Sequence, residues 1–521
     1  MSFGAVLAVL VAGVGGDSGG FAINAFEVEG VTLFSEAVVD QVVQPYVGTG
    51  RTLDDINAAA EALRGAYEKA GYPVVKVYPP VQAAEQGRIK LKVIEGKIQS
   101  VQIKGSQIYS ADNIRASLPP LQELRKPNTG QIVAAVAAAN ENPAKQVAVN
   151  FQAAEQLGDI DAIVNVTEEN PEKILLTADN MGSKSTGVNR YSLGYQHANL
   201  FNRDHMLTLT ASTSWDFPQK SLSLSGGYRI PFYESGLSLD LIAAYSDSNA
   251  TTNVGFGNAN QFTGKGVTLG LRLNQVLASI GEYRHRLIYG YDFKDFRNDC
   301  TGAPDAPGKC GTITSQPLSV SYSAQLNNPA YQLNGSLGWF VNLPGGPNGG
   351  NQEYRMNARG GENSWQAWRF SAGAMLPLPE DFQFRVALAG QVTGNRLIAG
   401  EQFGVGGSAS VRGYMERTAT AESGYSVNVE LYSPDIGKHL GEGVGLRALV
   451  FHDFGRVYSN AGAAQLPLSS VGAGLRFNLG RSLAFKVDVG VTQESFVGGP
   501  GTGMSRQRGD SFGHAALNIS F

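Results

Sequence analysis

Four features of the chain have residue types that could carry chemistry, and spacing decides what each can do. Gly16-Asp17-Ser18-Gly19-Gly20 spells the G-x-S-x-G of a serine nucleophile elbow and the GDSGG around a protease serine. Such proteases place their histidine and aspartate before the serine, yet no histidine precedes Ser18. The match is read as chance. The six histidines, His197, His205, His285, His439, His452 and His514, are scattered without ligand spacing, so no metal is expected. The glycines between Arg396 and Tyr414 are followed by no G-K-[ST], so they make no phosphate cradle and no nucleotide cofactor is implied. Cys300 and Cys310 lie in DCTGAPDAPGKCGT, a Gly/Pro-rich stretch that suits neither helix nor strand. A disulfide stapling a loop in an oxidising compartment is the natural reading, and two unrelated thiols the alternative. No catalytic constellation emerges, and a non-enzyme is expected.

The elements that must position any functional residue are bounded by composition. Of 521 residues, 65 are glycine and only 17% are charged, which excludes a coiled coil or an acidic disordered chain. No run of eighteen apolar residues exists, so no ordinary transmembrane helix can be placed, while a barrel with alternating strands stays open. With 41 basic against 45 acidic residues and a net charge of -4, nothing points to nucleic acid.

Residues 1–20 include an apolar run, MSFGAVLAVLVAGVGG, with no basic residue before it, and read as a truncated signal or targeting segment. Two α+β units follow, at 21–97 and 98–170. The first has a strand Phe26–Gly30, a helix capped by Ser35, and a longer helix opened by the capping box Thr52-x-x-Asp55. Strands Val74–Tyr78 and Ile89–Glu95 close it. The second repeats the order, with strand Val101–Gly105, helices from Ser110 and Thr129, and strands Gln146–Phe151 and Ile160–Glu168. Gly30 and Gly105 lie 75 apart, and Glu95 and Glu168 lie 73 apart. A β-α-α-β-β repeat of this size resembles the polypeptide-transport-associated (POTRA) domain.

From 171 to 521 the period becomes two. Leu483, Phe485, Val487, Val489 and Val491 share one strand face, with Lys486 and Asp488 on the other. Val471, Ala473, Leu475, Phe477 and Leu479 oppose Arg476 and Asn478, and Tyr425, Val427, Val429 and Leu431 oppose Asn428 and Glu430. Ionisable groups on the same face of strand after strand suit a water-filled lumen better than a dry core. Sixteen antiparallel strands are counted, an even number that returns the C-terminus to the side of the small units. The fold class is thus a membrane β-barrel of sixteen strands preceded by two POTRA-like domains. The last strand ends at Phe521, which looks like the assembly signal of bacterial outer-membrane barrels.

The connection between the eleventh and twelfth strands contains EQFGVGGSASVRGY, and the thirteenth carries Phe451-His452-Asp453-Phe454-Gly455. These motifs resemble those of two-partner secretion transporters, the TpsB-type haemolysin secretion/activation family of the BamA/TpsB superfamily. The signature falls on Val411, Arg412, Gly413 and Tyr414. The resemblance implies that loop 396–423 folds into the barrel and that Arg412 meets an acid on the inner wall, at Asp453 beside Gly455. Alternation independently turns Asp453 inward, opposite Val444, Leu446, Ala448 and Val450.

The resemblance further implies an outer-membrane exporter with periplasmic POTRA domains. Its partners would be a secreted exoprotein with an N-terminal secretion domain, outer-membrane lipids and, during biogenesis, the barrel-assembly machinery. The cargo expected is an adhesin, haemolysin or toxin, passed unfolded without nucleotide hydrolysis. The alternatives are a barrel-assembly factor, whose relatives commonly carry five POTRA units, and a passive porin. Several family members also have an N-terminal plug helix. Few residues precede Phe21 here, so the expectation is that loop 396–423 is the main obstruction and conductance exceeds that of plugged relatives.

Overall fold

The computed structural model describes residues 20–82, 85–182, 187–219, 221–247, 251–253, 261–263, 265–298, 311–358, 361–460, 465–497 and 505–521. The expected signal segment, apart from Gly20, and the proposed Cys300–Cys310 disulfide lie outside these residues. The chain forms two compact units, Met1–Glu169 and Asn170–Phe521.

The first unit holds two mixed three-stranded sheets of one design. Ala25–Glu29 runs parallel to Arg88–Ile94, which pairs antiparallel with Lys76–Tyr78. Ile98–Lys104, Ile160–Glu168 and Lys145–Ala153 repeat the arrangement. Helix Leu53–Lys69 buries Ile56, Ala59, Ala60, Leu63 and Tyr67, its apolar stripe, in a cluster with Ile89, Leu91 and Val93. The Thr52 amide donates to the Asp55 carboxylate at 2.8 Å, closing one side of the capping box. In the second domain the helix Thr129–Ala139 is capped one residue earlier than its sequence signal, by Asn128, whose Oδ1 accepts from the Gln131 amide. An antiparallel pair, Phe21–Ile23 with Gly48–Arg51, has no counterpart in the sequence reading, because GTGR carries no alternation.

The 75- and 73-residue spacings have one physical cause. Gly30 and Gly105 end the first strand of each domain at φ +89° and +84°, and a Cβ there would lie 2.2 Å from the Val93 oxygen or 2.4 Å from the Val166 oxygen. Only glycine fits such a turn. The amides just beyond each turn are then capped by a glutamate at the end of the strand that pairs parallel with the first, Glu95 one residue past Arg88–Ile94 and Glu168 the last of Ile160–Glu168. Glu95 accepts from Thr32 and Leu33 amides at 2.9 and 3.0 Å, and Glu168 from Gln107, Ile108 and Tyr109 at 2.8, 2.8 and 3.0 Å.

In the second unit, among the described residues, sixteen strands close an antiparallel barrel. In order they are Glu172–Asp179, Arg190–Leu200, His205–Ser214, Ser223–Phe232, Leu237–Ser246, Gly266–Val276, Tyr283–Asn298 and a broken eighth, Gly311–Ser315 with Pro317–Asn327. Gln332–Asn342, Gln366–Pro377, Gln383–Val392, Ser423–Tyr432, Val444–Tyr458, Gln465–Leu479, Leu483–Thr492 and Ser511–Ser520 complete it. The last strand pairs with the first, so every strand has two neighbours, as a hydrocarbon surround demands. Both membrane barrel and strand number are as the alternation indicates, and no helix among the described residues is long and apolar enough to cross a membrane.

Outward apolar rows such as Val471, Leu475, Leu479, Phe485 and Val489 are exposed. Inward charges pair across neighbouring strands, with Arg229 to Asp240 at 2.6 Å and Arg272 to Asp292 at 2.7 Å. The inner wall is less uniformly polar than the alternation implies. Leu449, Phe451 and Val457 also point inward and are buried.

Candidate functional site

The connection between strands eleven and twelve turns back on itself as a short antiparallel pair, Phe403–Val405 with Ala419–Ala421. Gly406, Gly407 and Gly413 take φ of +106°, +101° and +89°, a region L side chains avoid, and the Gly407 amide closes the turn on the Val411 oxygen at 3.0 Å. The tip between the two arms is not solvated: Val411 and Tyr414 are fully buried and Arg412 is 2% exposed. Val405, Val411, Tyr414, Ala419 and Ala421 pack with Val457 and Leu468 of the wall, and this explains part of the wall's inward apolar character.

Arg412 meets the wall through a bidentate pair. Its Nε and Nη2 donate to the two Asp453 oxygens, each at 2.7 Å, and its backbone amide donates to the same carboxylate at 3.0 Å. Nη1 lies 2.8 Å from Glu430 and 3.6 Å from Asp488. The guanidinium carbon sits 3.5 Å from the centre of the Phe451 ring, a cation–π contact. Asn428 supports Asp453 with a hydrogen bond at 2.7 Å and also holds the Ser410 carbonyl.

The surrounding charges balance. Arg385 pairs with Glu430 at 2.7 Å and Arg476 with Asp488 at 2.8 Å, so three arginines face three carboxylates. Arg412, Glu430, Asp453 and Asp488 are buried, and removal of one partner from a buried pair leaves the other uncompensated at a cost of roughly 3–5 kcal/mol. What the arrangement provides chemically is a bidentate ion pair, held in place by close backbone packing.

That packing depends on glycines in the wall. A Cβ on Gly455 would lie 2.9 Å from Val411 and 3.0 Å from Val405, and one on Gly490 would lie 2.6 Å from the Gly413 nitrogen. The Gly413 amide donates to His514 Nε2 at 3.3 Å, and the Tyr414 hydroxyl lies 2.6 Å from the Glu494 carbonyl and 3.2 Å from that of Ser469. The four motif residues, Asp453 and Gly455 therefore come together. Phe521 stands apart at the barrel seam, 69% exposed, with its backbone paired to Ile174. Sequence reasoning missed Asp488, Gly490, Phe451 and His514 as neighbours of Arg412. It turned Glu430 and Asn428 inward but did not connect them to the arginine. The available signal was parity, which places Glu430, Asp453 and Asp488 on one inner surface.

Paired POTRA-type domains, a closed sixteen-stranded barrel and a loop pinned in its lumen define a transporter of the BamA/TpsB class. The family model described as haemolysin secretion/activation protein ShlB/FhaC/HecB matches residues 158–477, and that for the ShlB-type POTRA domain matches 21–96. The chain belongs to this haemolysin secretion/activation family.

Among curated relatives, the outer membrane transporter CdiB of Dickeya dadantii is 23% identical over 75% of this chain and 69% of its own. The heme/hemopexin transporter protein HuxB of Haemophilus influenzae is 21% identical over 87% and 80%. The solved structure of CdiB from Escherichia coli superposes with a TM-score of 0.78 at 19% identity, covering 99% of this chain and 93% of that one. The protein is accordingly an outer-membrane two-partner secretion transporter whose POTRA domains lie in the periplasm.

Proposed function

We propose that this transporter exports one large exoprotein, of the adhesin, haemolysin or toxin class, as an unfolded chain that passes the lumen when loop 396–423 moves. The observation that carries this reading is the Arg412–Asp453 lock, which holds a folded hairpin in the lumen by ion pairs that can part and re-form. No nucleotide drives the step; folding of the cargo outside the cell prevents its return.

The POTRA domains recognise the N-terminal secretion domain of the cargo by adding one of its extended segments to a sheet edge. An edge suited to this is Lys145–Ala153. The Asn140 side chain already pairs with Val147 there as a strand would, accepting from its amide at 2.6 Å and donating to its carbonyl at 3.0 Å. By the two-residue period, Val149 and Phe151 present their backbone groups along the same edge.

During its own biogenesis the chain is a client of the barrel-assembly machinery, with Phe521 at the seam as the signal. Deletion and complementation test the export reading. Loss of one exoprotein from the medium, restored by this chain alone and with other outer-membrane barrels at normal levels, is the expected result. A general fall in barrel proteins would instead favour an assembly factor, and unchanged export a porin.

A further inference from the structure

The two POTRA domains are joined by more than the chain that connects them. The connecting residue Gly96 is packed so closely that a Cβ on it would lie 1.9 Å from the Gly158 oxygen, in the turn between Lys145–Ala153 and Ile160–Glu168. Val74 of the first domain packs against the core of the second. The segment between the two helices of the second domain then reaches back. Lys126 donates to the Glu95 carboxylate and the Thr32 hydroxyl of the first domain. The next residue, Pro127, is buried and fixes the backbone ahead of Asn128.

Asn128 serves two helices at once. Its Oδ1 accepts from the Gln131 amide at 3.1 Å and so caps the start of Thr129–Ala139. Its Nδ2 donates, also at 3.1 Å, to the Ala70 carbonyl at the end of Leu53–Lys69 in the other domain. Thr129 adds two bonds to the Gly71 carbonyl, from its amide at 2.9 Å and its hydroxyl at 3.2 Å. Carbonyls at the end of one helix and an amide at the start of another are groups their own helices leave without partners, so each end satisfies the other.

Domains linked by a short connection ordinarily move against each other unless their interface is large. Here the packed link, the Lys126–Glu95 pair and the shared cap restrain the angle at three places. A receptor whose two halves are already aligned loses no affinity to aligning them when a ligand arrives. We propose that Asn128 is a positioning residue of the cargo receptor: with Thr129 and Lys126 it locks both POTRA domains into one rigid body, so that cargo meets both in a fixed register. The proposal rests on the reading that these domains bind cargo.

The test uses the full chain carrying Cys300→Ser and Cys310→Ser, with spin labels at Gln41→Cys in the first domain and Ala116→Cys in the second, both exposed positions. The distance distribution between the labels is narrow while the joint is intact. Asn128→Asp keeps an oxygen for the Gln131 amide but has no N–H for Ala70, and Thr129→Val removes the hydroxyl bond to Gly71. Together they widen the distribution several-fold. The same pair lowers secretion of the exoprotein that deletion of this chain removes from the medium, again several-fold, at equal amounts of folded barrel. A distribution already broad with the joint intact, or unchanged in the double variant, overturns the joint. Widening with normal secretion overturns the positioning role. If deletion removes no exoprotein from the medium, the reading beneath the proposal fails and the positioning role with it, whatever the distances show. Protease sensitivity of the second domain in both the double variant and Asn128→Ser, whose hydroxyl caps its own helix but is too short for Ala70, assigns Asn128 to folding and overturns the proposal.

Discussion

Gly490 has no side chain, and that absence lets the loop tip lie against strand fifteen. A Cβ there would meet backbone atoms, the Gly413 nitrogen at 2.6 Å and the Arg412 carbonyl carbon at 2.8 Å, neither of which can rotate away. Gly490→Ala therefore displaces the tip although it alters no charge, at a cost of roughly 1–3 kcal/mol. Bilayer conductance should rise, and wild-type conductance from the variant would contradict the close approach.

In the first POTRA domain Glu95 is the corresponding single-residue support. Burial alone would raise its carboxyl, but Lys126 and the Thr32 and Leu33 donors outweigh burial and hold it at about 2. Glu168 is also lowered, its three amide donors outweighing burial. A depressed carboxyl stabilises the fold fully above its unfolded value near 4.5, and the contribution is lost as pH falls toward 2. Glu95→Gln should cost on the order of 2–3 kcal/mol at neutral pH and flatten the acid limb of the unfolding curve. Thermal unfolding of the periplasmic domains from pH 7 down to pH 2 measures both.

At the scale of elements, the Lys145–Ala153 edge makes a separate prediction. Val149 points its amide away from the sheet if the Asn140–Val147 pairing is extended by two residues, so Val149→Pro blocks an added strand without breaking an internal one. Cargo binding to the periplasmic domains should weaken about tenfold or more, as expected for loss of about 1.4 kcal/mol, with barrel assembly intact. Unchanged binding by calorimetry would move the docking site elsewhere.

Elements were also where the sequence was most legible. Alternation in rows such as Leu483–Val491 marks lipid-facing strands because hydrocarbon on one side and water on the other leave little choice of residue. Gly30 and Gly105 were visible as a spacing, although their meaning, a turn pressed against a carbonyl, needed coordinates. The lock was only half legible. Asp453 came from parity and family likeness together. Asp488 reaches Arg412, and His514 the Gly413 amide, from strands distant in sequence, and their heights depend on turn lengths and register. Glu401 lies in a loop with no period, so nothing in its spacing marks its buried contacts with Lys294 and Arg369.

At the scale of the molecule, the barrel supplies a wall that is apolar outside and ion-paired inside, and the loop uses that wall as a counter-surface. The Arg412–Asp453 pair and the packing of Val411 and Tyr414 hold the loop against that wall. Arg412 is the residue that pins the loop tip to the wall. Its most direct test is the amount of exoprotein reaching the medium from cells whose only copy carries Arg412→Ala, with folded barrel in the membrane held equal to wild type. A large loss of export from a fully assembled barrel is the expected result, and normal export from that barrel would contradict a transport role for Arg412.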